Sequence, residues 1–262
     1  MRRVPSAERP EPFVATVLRK EQLSRSMVRV VLGGAGLDGF TANGLADQYV
    51  KLVFPRQEQE RPARRTYTVR VWDAAARELT IDVAVHGAEG LAGPWAQAAQ
   101  AGDQVQLIGP GGGYEPDPAA DWHLLVGDES SLPAIAVAVE RLAPGVVARA
   151  VIEVEGPDDE VAIQAPPSAQ VVWLHRDGRP RGELLVETVT AMAFPSGDPQ
   201  VFLHGEAGFV RTLRRHLLAD RHVPRERAAS ISGYWRLGRD DEGWRAEKPQ
   251  WKADVEADVA AG

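Results

Sequence analysis

The sequence predicts two folding units in series, a six-stranded antiparallel β-barrel followed by an α/β domain with a mainly parallel sheet. Short β-rich segments succeed one another through residues 13–108, as is typical of a small barrel. Apolar strands and helices then alternate through residues 122–235, which favours a parallel sheet covered on both faces. Glycine and proline cluster between the two patterns, at residues 109–122, as expected for a linker.

The barrel strands are predicted from six segments that are rich in β-branched residues and bounded by Gly, Pro or Asp. They cover residues 13–19, 27–32, 49–54, 65–71, 79–86 and 104–108. One helix is predicted over residues 93–100, because Pro94 suits a first helical turn, where no N–H partner is lost. We therefore assign residues 1–115 to the barrel domain.

The α/β domain is predicted over residues 116–239. Its strands are expected at residues 122–128, 146–154, 170–176, 200–206 and 228–235, and its helices at residues 132–142, 182–192 and 208–220. The polar, acidic residues 240–262 follow as a separate C-terminal tail. Their pattern leaves a short helix and a disordered segment both open.

Composition excludes several classes of function. The net charge of −7 disfavours a nucleic-acid partner. The chain has no cysteine, which excludes disulfides, thiolate-bound metals and cysteine nucleophiles. No apolar run is long enough to cross a bilayer and no secretory signal is evident, so a monomeric cytoplasmic protein is expected. The six histidines lack the spacing of a metal site, so no bound metal is expected.

The stretch "RRTYTVR", residues 64–70, predicts a ligand that carries both a phosphate and a flat ring. Strand alternation places Arg65, Tyr67 and Val69 on one face, and an arginine beside an aromatic ring is unusual in a core. A guanidinium binds phosphate oxygens bidentately, a tyrosine can stack on a flavin, and the Thr68 hydroxyl can bind ring nitrogens. The alternative is a surface strand with a solvated arginine and a half-buried tyrosine.

Five blocks of the sequence resemble the siderophore-interacting proteins, flavin-dependent ferric-siderophore reductases of the ferredoxin reductase superfamily. They are "DQYVKLVFP" (47–55), "RRTYTVR" (64–70), "DVAVHGAEGLAGPWA" (82–96), "GDESSLPAI" (127–135) and "SGYWRLG" (232–238). The resemblance implies that electrons pass from NADH or NADPH through FAD to a ferric siderophore, releasing ferrous iron in the cytoplasm. No catalytic side chain is then expected, because the flavin relays the electrons.

The resemblance also implies the residues that bind FAD. Arg65, Tyr67 and Thr68 would hold the diphosphate and the isoalloxazine ring. The other implied FAD contacts are Val83, Val85, His86, Leu91, Ala92, Gly93 and Trp95. The helix that follows Gly90 would present N-terminal amides to the diphosphate. For His86 a strand-end role without a ligand stays open, and for Trp95 a place in the core is preferred.

In the second domain the resemblance places the nicotinamide at the carboxyl end of the first parallel strand, where ligands of open α/β sheets bind. The implied residues are Asp128, Glu129, Ser130, Ser131, Glu206, Tyr234 and Trp235. Glu206 could instead be a first-turn carboxylate of a helix, and at least one of the two aromatics could be core. A GxGxxG fingerprint is absent.

The choice between NADH and NADPH stays open in the sequence. Arg176, Arg179 and Arg181 could bind a 2′-phosphate, although a basic loop is more often solvated. Glu153 and Glu155 could equally favour an unphosphorylated ribose.

An anionic ferric siderophore calls for a local basic pocket, for which Lys51, Arg236 and Lys248 are the candidates. A ferredoxin is a second candidate partner. Two other classes remain as alternatives: a general NAD(P)H–flavin or ferredoxin/flavodoxin reductase on the same fold, and a non-enzymatic siderophore-binding protein.

Overall fold

The computed structural model describes residues 11–56, 61–85 and 90–260. The N-terminal half is a closed barrel of six strands, as predicted, in the order β1-β2-β5-β4-β3-β6. All neighbouring strands are antiparallel. The strands are β1 (Phe13–Ser24), β2 (Met27–Gly33), β3 (Tyr49–Phe54), β4 (Ala63–Asp73), β5 (Glu78–Ala84) and β6 (Gln104–Gly111), with helix α1 (Ala92–Ala98) between the last two.

Every second side chain of a barrel strand points into the barrel and fills its core. On β2 the side chains of Val28, Val30 and Leu32 point inward and are almost fully buried. Strand β6 continues to Gly111, three residues into the segment predicted to be a linker, because Gly111 pairs with Tyr49 of β3. A Cβ on Gly111 would lie 2.4 Å from the Tyr49 ring, so a larger residue here would require the Tyr49 side chain to move.

The second half is a five-stranded parallel sheet in the order β11-β10-β7-β8-β9, which confirms the predicted α/β domain. Its elements are β7 (Trp122–Asp128), α2 (Leu132–Glu140), β8 (Ala148–Val154), β9 (Ala169–His175), α3 (Glu183–Ala191), β10 (Pro199–Glu206), α4 (Ala207–Arg215) and β11 (Ser230–Trp235). The chain winds from β7 outward to β9 and then returns to β10, so the strand order reverses between β7 and β10. That switch point is where open α/β sheets bind ligands.

Of the two alternatives for the tail, the structure has the helix. Helix α5 (Asp241–Ala260) is 20 residues long. Trp244, Trp251 and Val255 share one face of the helix, because they are seven and four residues apart, and they are buried in the core of the α/β domain. The Trp244 and Trp251 rings meet edge to face, with centroids 5.6 Å apart. This burial of three large apolar side chains holds α5 on the domain.

Helix α2 joins the two domains. Its Glu140 accepts a hydrogen bond from Arg70 of β4 at 2.6 Å, and Arg70 also lies near Asp82, which Arg29 binds bidentately. Met27 of the barrel is buried in the same apolar cluster as α2. These contacts place β4 opposite the α/β domain.

Candidate functional site

The two domains meet where β3 and β4 of the barrel approach β11 and the start of α5, since Arg65 pairs with Glu242 and Tyr49 lies near Tyr234. We call this region the interdomain cleft and define it by Tyr49 and Tyr67 on the barrel side and by Asp128 and Tyr234 on the α/β side. Burial, together with the nearby charges of Asp47 and Asp128, raises the pKa of the Tyr234 hydroxyl. Tyr234 of one domain is therefore neutral and lies close to Tyr49 of the other.

The barrel is splayed apart where it faces this cleft. The ladder between β4 and β5 runs from Asp73↔Glu78 only as far as Val69↔Ile81. Among the described residues, no further pair joins the rest of β4, toward Ala63, to the rest of β5, toward Ala84. Backbone groups on both edges are thus available to a flat, hydrogen-bonding ligand.

Arg65 lies at the open end of β4 and bridges to helix α5. Its guanidinium donates to Glu242 at 2.8 and 3.1 Å and to Asp241 at 3.2 Å. Arg56 binds the same Glu242 carboxylate at 2.9 Å. The hydrogen bond from Arg65 lowers the pKa of Glu242 to about 2, so this carboxylate is ionised at neutral pH. The cation predicted to bind phosphate is thus held by two carboxylates from the first turn of α5.

Tyr67 and Thr68 lie on β4 as predicted. Tyr67 packs against the barrel core, and burial raises the pKa of its hydroxyl, so the ring is neutral. Thr68 pairs with Tyr49 across the β3–β4 ladder. A partly exposed guanidinium, a neutral ring and a hydroxyl follow one another beside open backbone edges. A guanidinium can bind the phosphates of FAD and an aromatic ring can pack on its isoalloxazine, so these residues are compatible with the predicted cofactor.

The other predicted FAD contacts divide between cleft and core. Val83 and Val85 are buried barrel residues, so only their backbone groups can face a ligand. His86 lies outside the described residues. Leu91 is the N-cap of α1, and Ala92 is buried. A Cβ on Gly93 would be in ordinary van der Waals contact with Val85 and Ala84, at 3.8 and 3.9 Å. Trp95 packs edge to face on Phe54, at 5.9 Å between centroids, which is the preferred core position.

Asp128 is the hub of the sheet edge. One carboxylate oxygen accepts hydrogen bonds from the Ser130 N–H and hydroxyl, and the other accepts from the Glu206 N–H and the Trp235 indole, both at 2.9 Å. Burial, followed by the neighbouring Glu129, raises the pKa of Asp128 to about 6. A Cβ on Gly205 would lie 2.7 Å from the Asp128 carboxyl, so glycine allows β7 and β10 to approach. Asp128 thereby ties together the ends of β7, β10 and β11.

Glu129 belongs to a buried charge cluster. It binds Arg176 and, at 3.0 Å, Arg181. Arg176 is only 1% exposed and also binds Glu153 at 3.2 Å and Glu155 at 2.9 Å. The sequence interpretation of Arg176 as a solvated loop residue is wrong, because three carboxylates draw it into the domain. The Arg181 guanidinium lies 5.5 Å from the centre of the Trp235 ring.

Glu206 takes the alternative role that the sequence left open. It is the N-cap of α4, where its carboxylate accepts from the Gly208 and Phe209 N–H groups at 2.5 and 3.3 Å. The Ser131 hydroxyl is fully buried and donates to the Asp128 carbonyl. These two residues shape the strand ends, whereas Tyr234 and Trp235 reach the cleft and the Asp128 hub.

The three predicted substrate residues lie on different elements. Lys51 is on β3, with its ammonium 5.6 Å from the centre of the Tyr49 ring. Lys248 reaches from α5 to donate to the Gly233 carbonyl at 2.7 Å, and burial lowers its pKa. Arg236 follows β11 and pairs with Glu247 at 3.4 Å. Lys51 thus lies beside Tyr49 of the barrel, and Lys248 lies beside β11 of the α/β domain.

Three residues of the site were missed by sequence reasoning. Asp241 and Glu242 read as part of an acidic tail, although acidic residues before Trp244 are typical of a helix start. His204 lies behind Tyr234, with ring centroids 4.4 Å apart, and it bonds to Ser230 and Ser232. Burial lowers its pKa to about 3, so it is neutral.

Within residues 11–56, 61–85 and 90–260, no group of three or more metal-ligating side chains lies together. In the same part of the chain, no helix has the length and apolar character to span a membrane.

A six-stranded barrel followed by a parallel α/β sheet is the fold of the two-domain flavoprotein reductases. Residues 16–63 and 56–114 match the family model of the siderophore-interacting FAD-binding domain, and residues 120–238 match that of the siderophore-interacting protein. The chain therefore belongs to the siderophore-interacting protein family, which confirms the resemblance.

Named relatives agree with this assignment. The ferric vibriobactin reductase of Vibrio cholerae is 32% identical over 92% of this chain and 95% of its own. The NADPH-dependent ferric-chelate reductase of Escherichia coli is 32% identical over 84% and 91%. A siderophore utilization protein from T. fusca has a crystal structure with a TM-score of 0.79 and 35% identity, covering 88% of this chain and 95% of that one.

Proposed function

We propose that this protein is a flavin-dependent reductase that passes electrons from NADH or NADPH through FAD to a ferric siderophore. The observation that carries the proposal is the interdomain cleft, where the Arg-x-Tyr-Thr strand of the FAD-binding domain meets the segment after β11 through the Arg65–Glu242 pair. Two relatives with reductase names support the same activity. When bound, FAD accepts a hydride from the nicotinamide and delivers electrons singly to ferric iron.

The barrel side holds the flavin. Arg65 binds the diphosphate through its guanidinium, Tyr67 offers an apolar ring to the isoalloxazine, and the Thr68 hydroxyl binds at the ring edge. The unpaired backbone edges of β4 and β5 supply further hydrogen bonds. Because Arg65 is already held by Asp241 and Glu242, the diphosphate must share or displace those carboxylates.

The α/β side positions the nicotinamide. Asp128, at the end of β7, holds the Trp235 indole and the backbone of Glu206 across the switch point. Arg181 stacks on Trp235 and gives this edge a cation that is 27% exposed. These groups orient and enclose the dinucleotide, and no side chain is required to move a proton.

The open face of the cleft receives the chelate. Lys51 and Lys248 approach from the two domains, and Arg236 adds a cation at the rim. Siderophore oxygens are hard ligands that hold ferric iron tightly and ferrous iron weakly, so reduction releases the metal. We place this reaction in the cytoplasm, where NADH and NADPH are available, and expect a monomer. A ferredoxin remains a candidate partner.

The proposal is tested on the purified protein. Its visible spectrum should show oxidised flavin, and denaturation should release FAD and not FMN. Under anaerobic conditions NADH or NADPH should bleach the flavin, and a ferric siderophore should restore it while a ferrous-specific chelator traps the iron. A flavin that is reoxidised only by ferredoxin or flavodoxin would indicate a general reductase. A colourless protein that binds siderophore would indicate a binding protein.

A further inference from the structure

We propose that the dinucleotide donor is NADH and not NADPH, and that Glu155 is the residue that distinguishes them. This inference rests on the proposed function, because it concerns the nicotinamide dinucleotide which that reaction consumes. It assigns a donor different from the one in the name of the Escherichia coli relative.

The topology places Glu155 where the adenosine ribose is bound. In open α/β sheets the pyrophosphate lies at the switch point, and an acidic or basic residue after the second strand meets the ribose 2′ position. Here the switch point is between β7 and β10, and the second strand is β8 (Ala148–Val154). Glu155 is the next residue, and its carboxylate is 45% exposed at this edge.

The Glu155 carboxylate is held in position by three donors. One of its oxygens accepts from the Arg176 Nε and a terminal nitrogen at 3.1 and 2.9 Å, and the other accepts from the Gly178 N–H at 3.2 Å. The hydrogen bond from Arg176 lowers the pKa of Glu155, which keeps it ionised. An ionised carboxylate can accept a hydrogen bond from a 2′-hydroxyl and repels a 2′-phosphate.

The buried cation beside Glu155 is committed to carboxylates, whereas Arg179 of the same loop forms exposed ion pairs. Arg176 is 1% exposed and shared with Glu129 and Glu153. Arg179 binds Glu183 and Glu187 at 2.7 and 2.8 Å.

Arg181 binds Glu129 and lies over the Trp235 ring beside the switch point. That position suits the pyrophosphate, which NADH and NADPH share. Because the Arg176 guanidinium beside Glu155 is shared among three carboxylates, the position expected for the ribose keeps a net negative charge.

The test compares binding of NAD⁺ and NADP⁺ to the FAD-loaded protein by calorimetry, and flavin bleaching by NADH and NADPH in stopped flow. We expect NAD⁺ to bind at least tenfold more tightly than NADP⁺. Glu155→Gln should reduce this preference at least threefold, because it removes the repulsion.

Two further variants separate specificity from general binding. Glu187→Gln also removes a carboxylate that pairs with a loop arginine, but it lies on α3, and it should leave the preference unchanged. Arg181→Ala should weaken both dinucleotides by a similar factor.

The outcomes distinguish this inference from the proposed function. Equal or tighter binding of NADP⁺, or a preference that Glu155→Gln leaves intact, overturns the inference alone. If neither dinucleotide binds or bleaches the flavin, then the nicotinamide donor of the proposed function is wrong as well.

Discussion

Arg65 and Arg176 are both arginines held by carboxylates, yet their surroundings differ. Arg176 is 1% exposed, and its partners Glu129 and Glu153 are 3% and 0% exposed within the same domain. Arg65 is 15% exposed, and both its partners, Asp241 and Glu242, are 32% exposed and come from a helix of the other domain.

This difference in burial indicates that Arg176 has a structural role, whereas Arg65 is available to bind a ligand. Buried charges cannot lose a partner without a large desolvation cost, so Arg176 is fixed. Partly exposed charges exchange partners at low cost, because water compensates the loss. A phosphate can therefore replace a carboxylate on Arg65 but not on Arg176. The burial of the partners, more than that of the arginine itself, indicates which cation can bind a ligand.

The largest effect is expected at the buried cluster. Arg176→Ala leaves Glu153 and Glu129 without their shared cation, and it should lower the free energy of unfolding by about 3–5 kcal/mol. Urea denaturation monitored by tryptophan fluorescence measures this. Arg179→Ala, which breaks an exposed ion pair, should cost less than about 1 kcal/mol. An equal loss of unfolding free energy in the two variants would contradict the inference that burial separates the two arginines.

The next effect is on FAD affinity. Arg65→Ala removes charge-assisted hydrogen bonds to the diphosphate, each worth about 1.5–3 kcal/mol, so FAD should bind roughly 100-fold more weakly. The quenching of FAD fluorescence on binding gives the dissociation constant. Arg64→Ala, on the same strand, is the matched control and should retain FAD. If Arg65→Ala binds FAD normally, the diphosphate lies elsewhere.

A smaller effect of opposite sign is expected at α5. Glu242→Gln weakens the competitor for Arg65, so FAD should bind about 3- to 10-fold more tightly. Because the pKa of Glu242 is lowered to about 2, the wild-type carboxylate stays ionised and the difference should be constant from about pH 5 to pH 9. Glu247→Gln, on the same helix but paired with Arg236 and Arg239, should leave FAD affinity unchanged. Weaker FAD binding in Glu242→Gln would mean that this carboxylate positions Arg65 for the cofactor.

The smallest effect concerns Lys51 and Lys248, the partly buried cations of the chelate pocket. KM for an anionic ferric siderophore should rise with salt, and by about 2- to 5-fold in Lys51→Ala and in Lys248→Ala, because screened charges contribute little each. Flavin reduction by the nicotinamide should not change. Lys252→Ala, exposed on α5, and an uncharged ferric chelate serve as controls. Wild-type KM in both variants across a salt series would place the pocket elsewhere.

The sequence by itself determined the order of the two domains and most of their elements. Alternation along β2 and β4 and the apolar runs of β7 and β10 are local properties, which chain neighbours alone specify. The "RRTYTVR" and "GDESSLPAI" blocks likewise carried the family, since their residues are contiguous.

Only the tertiary structure decided which charges meet. Arg65 and Asp241 are 176 positions apart in the sequence. Arg176 and Glu129 are 47 positions apart. Nothing in the local pattern separates these arginines, because exposure depends on which distant elements cover a side chain. The tail was left open for the same reason: its helix is secured by the burial of Trp244 and Trp251 against the α/β core, a contact that exists only once the sheet has formed.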